Sequence, residues 1–176
     1  MYENDFCEYA VEKKKEGSYL AKIVLAVAAA IVAAFVIFTI LIPRYGFVGL
    51  LAAVLAIALF WYLSRFTYIE CEYSQSGAFL DFSYVYSKQY RRDKLSVDLK
   101  KCAKKIAPYT GKFEGFNVKD VLDMRSSATA ANSYMLVFED NDGTHAVLFD
   151  ATKRLVNNLY HQVPSLVTVS KELPEE

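Results

Sequence analysis

Two long apolar runs near the N-terminus constrain the fold of this chain more than any other feature. They cover residues 19–42 and 47–63, and Pro43-Arg44-Tyr45-Gly46 separates them. At about 1.5 Å per residue, a helix over the first run would cross a hydrocarbon core of about 30 Å. Such long runs joined by so tight a break favour membrane helices over buried helices of a soluble protein. The sequence therefore predicts a transmembrane hairpin of two antiparallel helices over residues 19–64.

Small residues recur at intervals of four within both runs. This spacing places them on one face of a helix and lets two helix backbones approach closely in a bilayer. Alternatively, they reflect only how common alanine is in membrane helices. The candidate helix–helix contact residues are Ala26, Ala30, Ala34, Gly49 and Ala53.

The basic residues around the two runs predict the orientation of the hairpin. Lysines 13, 14, 15 and 22 flank the first run, Arg65 follows the second, and the connecting loop holds Arg44 alone. Because lysine and arginine concentrate on the cytoplasmic side of membrane helices, we expect a multi-pass protein of the cell membrane with both termini in the cytoplasm.

The first 18 residues precede the hairpin and form a separate segment. Its acidic residues come early and its lysines late, which is the order that a helix dipole favours. Phe6, Tyr9, Ala10 and Lys13 would share one helical face, and Gly17 is a plausible stop. We predict a short amphipathic helix beside the membrane anchor.

After residue 65 the hydrophobic pattern changes to the period of two that is typical of strands. Asp140-Asn141-Asp142-Gly143 is a strong signal for a hairpin turn between the last two predicted strands. The predicted strands cover residues 66–73, 78–86, 89–99, 104–109, 133–139 and 144–149, with a further strand-like stretch at 166–169.

Two helices are predicted in this C-terminal part. Asn117 could cap a short one, and Asp150 or Thr152 caps a final amphipathic helix that Pro164 stops. The fold class is thus α+β: a transmembrane hairpin, then a mostly antiparallel β-domain over residues 65–170 whose open end the final helix covers, and a tail over residues 171–176.

Two stretches of this domain resemble a known kind of protein. They are FLDFSYVYSKQYRRDKLSVDLKKCAKKIAPY and YMLVFEDNDGTHAVLFDATKRLVNNLYHQVP, the second with a VLFD strand followed at once by a helix. The chain resembles an uncharacterised family of small bacterial two-span membrane proteins with a cytoplasmic pleckstrin-homology-like (PH-like) domain. This resemblance implies a fold and a membrane location, but no reaction and no binding residues.

The sequence contains no motif for catalysis or for a cofactor. Cys7, Cys71 and Cys102 have unrelated spacings, and neither His145 nor His161 has a cysteine or carboxylate at the spacing of metal ligands. The 20 basic residues balance 20 acidic ones, which argues against nucleic-acid binding. We therefore expect a protein that is not an enzyme and holds no metal or cofactor.

Residues 88–105 are the most strongly charged part of the chain. They combine eight basic residues with Asp93 and Asp98, a net charge of +6. In a membrane-tethered domain, such a stretch suits anionic lipid headgroups or a protein partner. Alternatively, it is a solvated face that balances acids such as Glu114, Asp120 and Asp123. The candidate contact residues are Lys88, Arg91, Arg92, Lys94, Lys100, Lys101, Lys104 and Lys105.

Two functions fit these observations. The first is a non-enzymatic binding or scaffold module that presents a PH-like domain at the inner membrane surface to lipids or an unknown protein partner. The alternative is an accessory subunit of a transport or envelope complex, with contacts made through the hairpin. The apolar runs contain no Asp, Glu or His, which argues against an ion pathway through this chain alone.

Overall fold

The structure, a computed structural model, describes residues 6–14, 17–64, 68–170 and 173–174. It divides into two compact units. One combines the chain up to Lys13 with the chain from Ile69 onwards, and the other covers Lys14–Tyr68. The predicted β-domain over residues 65–170 is therefore incomplete, because its first strand lies before the apolar segment. We call the first unit the sheet unit and residues 14–68 the apolar insertion.

The apolar insertion is almost entirely helical. Helix α1 (Gly17–Val36) leads through a π-helical turn (Ile37–Leu41) into the short helix α2 (Ile42–Tyr45), and α3 (Phe47–Ser64) follows. Among the described residues, Val24–Tyr45 is long and apolar enough to cross a membrane, whereas the apolar stretch Phe47–Tyr62 is shorter. Length and composition thus support one of the two predicted spans.

The break predicted at residues 43–46 is confined to the last of them, Gly46. Proline lacks an N–H and crowds the preceding helical turn. The π-helical turn before Pro43 accommodates the proline. In it, the Ile42 N–H donates to the Ile37 carbonyl, five residues back. Gly46 separates α2 from α3, and its φ of +50° suits glycine.

The N-terminal segment is a strand, so the prediction of an amphipathic helix was wrong. Strand β1 (Phe6–Glu12) pairs antiparallel with β2 (Ile69–Ser76), from Phe6 opposite Ser76 to Glu12 opposite Glu70. Cys7 is buried, and Tyr9 and Val11 pack against the core, which is the alternation of a strand. Pairing with a distant strand outweighs the local helical pattern.

Two four-stranded sheets form the rest of the sheet unit. The first has the order β1-β2-β3-β4, with β3 at Phe79–Tyr86 and β4 at Tyr90–Asp98, and all its pairs are antiparallel. The second has the order β5-β7-β8-β6. Its strands are β5 (Ala103–Pro108), β6 (Asp120–Asp123), β7 (Ser133–Asp140) and β8 (Gly143–Asp150).

Strand β6 replaces the short helix that was predicted after Asn117. It runs parallel to the edge of β8, with Asp120 opposite His145 and Asp123 opposite Leu148. The N–H of Lys119 and that of Met124 extend the pairing to carbonyls of β8. The hairpin turn at residues 140–143 is confirmed, and the Asp140 carboxylate accepts the Asp142 N–H at 2.8 Å.

Helix α4 (Lys153–Gln162) closes the fold, and its prediction is confirmed. The Thr152 hydroxyl accepts the Leu155 N–H at 3.3 Å, so Thr152 is the N-cap. Leu155, Val156 and Leu159 are buried in a core shared with both sheets. The strand-like stretch after Pro164 is reduced to one parallel bridge between Ile106 and Val167. The predicted tail lies mostly outside the described residues, as does the start of the strand predicted at 66–73.

Candidate functional site

The two ends of the apolar insertion lie side by side in the first sheet. The Lys13 N–H donates to the Ile69 carbonyl at 2.9 Å, one step beyond the Glu12–Glu70 pair. The same end of the sheet contains the β3–β4 turn, because Ile69 is opposite Tyr86 and Tyr86 is opposite Tyr90. We call this region of the sheet unit the insertion end.

The structure divides the basic residues of the predicted contact stretch between the two ends of β4. Lys88, Arg91, Arg92 and Lys94 belong to the insertion end. Lys100 and Lys101 lie in the turn after β4, and Lys104 and Lys105 begin β5. Asp98 lies six positions after Arg92 along β4, or about 20 Å at roughly 3.3 Å per strand residue. The eight cations therefore form two separate groups.

Carboxylates engage some of these cations and leave others without an ion pair. Pairs join Lys88 to Glu70 (4.0 Å), Arg91 to Glu72 (2.5 Å) and Asp93 (3.1 Å), Lys101 to Asp98 (3.5 Å) and Lys104 to Glu139 (2.7 Å). Within the described part of the chain, Arg92, Lys94, Lys100 and Lys105 form no ion pair.

Two of the three acids named as balancing residues, Asp120 and Asp123, have partners outside the basic stretch. Asp123 pairs with Arg125 at 2.6 Å, and Asp120 lies 3.7 Å from His145. The carboxylates that do face the basic stretch are mostly those of β2 and β4. The alternative of a solvated face whose charges balance Glu114, Asp120 and Asp123 stays a prediction.

Arg91 is held on the outer face of the first sheet. Its guanidinium contacts Glu72, Asp93 and, at 3.3 Å, the Ser83 hydroxyl. Burial raises the pKa of the Glu72 carboxyl although the nearby Arg91 opposes this. An arginine that neutralises a buried carboxylate is a structural group, so Arg91 is less available to a ligand than Arg92.

Tyrosines surround the cations of the insertion end. The Lys13 and Lys94 ammonium groups lie 5.6 and 5.5 Å from the centre of the Tyr84 ring, which is within the range of a cation–π contact. Rings of Tyr84 and Tyr86, and of Tyr86 and Tyr90, follow one another at 6.4 Å. Burial raises the pKa of Tyr84 to about 12, so its hydroxyl remains a neutral donor.

The turn between β3 and β4 is strained. Ser87 and Lys88 have φ values of +50° and +57°, and the Gln89 N–H donates to the Tyr86 carbonyl at 3.1 Å. Two successive positive φ values are the signature of a type I′ turn, which asparagine and glycine favour. Residues with a Cβ atom occupy this region at a cost of roughly 1 kcal/mol or more each.

The last residue of β6 and the residue after it accept hydrogen bonds from side chains of the first sheet. The Asp123 carbonyl accepts the Tyr84 hydroxyl and the Lys13 ammonium group, both at 3.3 Å. The Met124 carbonyl accepts the buried Tyr73 hydroxyl at 2.7 Å. Lys13 was not predicted as a member of this site, because the first 18 residues were interpreted as a segment with a short helix. The alternation of Cys7, Tyr9 and Val11 along the sequence is the signal that could have predicted a strand up to Lys13.

The predicted small-residue stripe is only partly covered within the apolar insertion. Gly49 is buried, Ala30 and Ala53 are half-buried, and Ala26 and Ala34 are exposed. Helix α3 contacts α2 and the π-helical turn. A full-length helix–helix contact through the stripe stays a prediction.

No cluster for metal or nucleophilic chemistry is visible in the described ranges. Nowhere in residues 6–14, 17–64, 68–170 or 173–174 do three His, Cys, Asp or Glu side chains converge as metal ligands. The three cysteines are free thiols, and burial raises the pKa of Cys71 to about 12, which makes it a poor nucleophile.

A comparison with family models identifies the chain. The family described as Bacterial PH-like domain (DUF6106) matches residues 3–169, nearly the whole sequence. The matched range includes β1, the apolar insertion and all later strands. No curated protein and no solved structure matches the chain. The chain belongs to the bacterial PH-like domain family.

Proposed function

We propose that this bacterial PH-like protein is a non-enzymatic binding module that its apolar insertion anchors at the inner surface of the cell membrane. The two long helices of the insertion form a two-span hairpin, and the sheet unit lies in the cytoplasm. Its partners are anionic lipids of that surface or a protein that works there.

The pairing of β1 with β2 carries this proposal. A chain that leaves a sheet at Lys13 and returns beside it at Ile69 begins and ends on the same side of any membrane that it enters. It must therefore cross an even number of times. Helices of 20 and 18 residues, separated by a π-helical turn and α2, suit two crossings.

The segments that connect the sheet unit to the helices of the insertion are short. Three residues separate Lys13 from Gly17, and four separate Ser64 from Ile69. At most 3.6 Å per residue, these connections reach roughly 14 to 18 Å. The lysines before α1 and Arg65 after α3 favour the cytoplasmic side for both connections.

Membrane extraction tests the anchoring. The full chain is expressed in bacteria, and the membrane fraction is washed at alkaline pH, which removes peripheral proteins. We expect the wild type to stay in the membrane. The double variant Val32→Asp/Leu55→Asp, which places a carboxylate in each long helix, should be released or lost from it, because charges at the centre of a span are costly.

A single variant, Val169→Asp, controls for the added charge, because Val169 is exposed in the sheet unit. It should stay in the membrane like the wild type. Release of the wild type by the wash, or equal retention of the wild type and the double variant, would overturn the proposal.

A further inference from the structure

We propose that the free edge of strand β5 is a docking site for an extended segment of a partner protein. Residues 165–170 of this chain, which we call the edge segment, occupy the site until such a partner displaces them. The partner segment adds parallel to β5 and places an aliphatic side chain where Val167 lies. The inference rests on the proposed function, because it names the class of partner that the binding module takes.

Strand β5 has one side that no other strand covers. It lies at the edge of the second sheet, whose order is β5-β7-β8-β6. Proline and bulges commonly block such edges, and both occur in β5. Pro108 has no N–H, and the pairing with β7 is irregular between Ala103 and Lys105. Between these blocked ends, Ile106 directs its N–H and its carbonyl to the free side, where a further strand can pair.

The edge segment satisfies both main-chain groups of Ile106. The Ile106 N–H donates to the Leu166 carbonyl, and the Thr168 N–H donates to the Ile106 carbonyl, both at 2.8 Å. This is a parallel bridge between Ile106 and Val167. Because the Ile106 side chain is fully buried, its main-chain groups would be costly to leave unpaired. Displacement of the edge segment therefore requires another extended segment in its place.

A buried tyrosine of β7 holds the next part of the edge segment by its main chain. The Tyr134 hydroxyl donates to the Thr168 carbonyl at 3.2 Å and accepts the Ser170 N–H at 2.9 Å. Burial raises the pKa of Tyr134, so the hydroxyl keeps the proton that it donates. The contacts of Ile106 and Tyr134 are thus made to main-chain atoms, which an extended segment of another sequence also offers.

Few side chains of the edge segment are recognised. Val167 is 8% exposed and belongs to the same core as Ile106, and Leu166 is half-buried. Thr168 and Val169 are exposed. A site that binds a main chain and one or two aliphatic side chains admits many extended segments. This is the chemistry of partner binding by strand addition.

A short turn joins the edge segment to helix α4. The Leu166 N–H donates to the Val163 carbonyl at 3.0 Å, across the exposed Pro164. Because the segment is covalently linked, it competes with a partner at a high effective concentration. A partner segment with only the same contacts binds weakly, so the linked segment sets a threshold for partner binding.

Binding of a peptide in trans tests the inference. The probe is a fluorescent peptide of residues 165–174, added to the full chain in detergent micelles, and its anisotropy is measured. In the variant Val167→Asp/Thr168→Pro, the edge segment should leave the site, because it would bury a charge and lacks the N–H that bonds to Ile106. We expect this variant to bind the peptide at least about tenfold more tightly than the wild type, whose own segment competes.

Two matched controls locate the site. The variant Val169→Asp adds the same charge at an exposed position of the edge segment and should bind the peptide as weakly as the wild type. A peptide that carries Val167→Asp should bind none of the three chains, because its carboxylate would have to enter the core.

Hydrogen–deuterium exchange of the wild type is a second measurement that needs no variant. With the peptide in large excess, the Thr168 amide of the chain should exchange at least about fivefold faster, because the peptide has taken its place. The Ile106 amide should stay protected, since the peptide offers it a carbonyl in turn. If the double variant fails to fold, as judged by near-ultraviolet circular dichroism, this exchange result decides the question.

Equal binding of the peptide by the folded double variant and the wild type would overturn the inference, as would an unchanged Thr168 amide at a large excess of peptide. Wild-type dimers in light scattering that the peptide dissociates would assign the edge to a second copy and overturn the proposal of a separate partner. Failure of the proposed function is distinguishable, because the peptide measurements are made in micelles, whereas the alkaline wash reports anchoring.

Discussion

At the scale of single residues, a few buried polar groups join the two sheets and the segment after β6. Tyr73 donates to the Met124 carbonyl, and the Asp150 carboxylate accepts the Ser126 N–H at 2.8 Å. Asp123 binds the Arg125 side chain through both carboxylate oxygens, at 3.0 and 2.6 Å. These contacts position the Asp123 carbonyl, which accepts the Tyr84 hydroxyl and the Lys13 ammonium group.

Asp123 should make the stability of the sheet unit depend on pH. Burial raises the pKa of its carboxyl, but hydrogen bonds and charge from Arg125 outweigh burial and hold the pKa below 3.8. Folding thus favours the carboxylate. Its contribution is fully present above the unfolded pKa, near 3.8, and is lost as the pH falls through the lower folded value.

Asp123→Asn should therefore lower the free energy of unfolding at pH 7, and the difference from the wild type should shrink below pH 3.8. Denaturation of the detergent-solubilised chain, followed by near-ultraviolet circular dichroism of its tyrosines, measures this. Asp142→Asn, in the exposed hairpin turn, is the control. The same pH dependence for both variants would argue against the Asp123–Arg125 contact.

Which side chains of the strands are buried was predictable from the sequence, whereas which acid pairs with which base was not. The alternation of Leu80 and Phe82 with polar residues predicts their inward direction, and both are fully buried. Which acid meets which base depends on the register of distant strands, so the pairs of Arg91 with Glu72 and of Lys104 with Glu139 could not be read from the sequence.

At the scale of elements, long patterns were predictable and short ones were not. The cores of β3, β4, β7, β8 and α4 follow from eight or more residues of consistent period. Strand β6 has four residues and is stabilised by its parallel pairing with β8, which no local signal reveals. The sequence of β1 also fits a helical pattern, and only its pairing with β2 favours the strand over the helix.

Two substitutions in β1 distinguish the strand from the helix. Cys7 is 3% exposed in the strand and Phe6 is 54% exposed, whereas the helical pattern would place Phe6 on the apolar face. We expect Cys7→Asp to destabilise the sheet unit by about 2 kcal/mol or more, because it buries a charge. Phe6→Asp should change stability little. If denaturation shows that Phe6→Asp destabilises the chain more than Cys7→Asp, the strand is contradicted and the helix is favoured.

Substitutions in the β3–β4 turn should stabilise the sheet unit. Ser87→Asn/Lys88→Gly introduces the preferred residues of a type I′ turn, and relief of strain should raise the free energy of unfolding by roughly 1 to 2 kcal/mol. Gln89→Gly, next to the turn at a position without a positive φ, should lower it. Denaturation of the three chains measures both effects. No gain from the double variant would show that the turn carries no strain.

At the scale of the whole molecule, the apolar segment is an insertion within a β-sheet. The apolar segment and the α+β domain were predictable, but the boundary between them was predicted at residue 65. Pairing between residues 6–12 and 69–76 leaves no local signal across more than 50 intervening residues. The structure joins the N-terminal strand and the C-terminal domain into one unit. A fragment that starts at residue 66 would lack β1.

Sidedness of the chain tests the central claim, that the insertion leaves and re-enters the sheet unit on one side of the membrane. In a Cys102→Ser background, Cys7 and Cys71 are buried and react little, so one added cysteine reports its own location. The variants Lys14→Cys, Arg44→Cys and Asn141→Cys are treated with a membrane-impermeant maleimide in right-side-out vesicles. We predict labelling of Arg44→Cys alone, and of all three after the vesicles are opened. Labelling that places Lys14→Cys and Asn141→Cys on opposite sides, or Arg44→Cys on the same side as both, would contradict the claim.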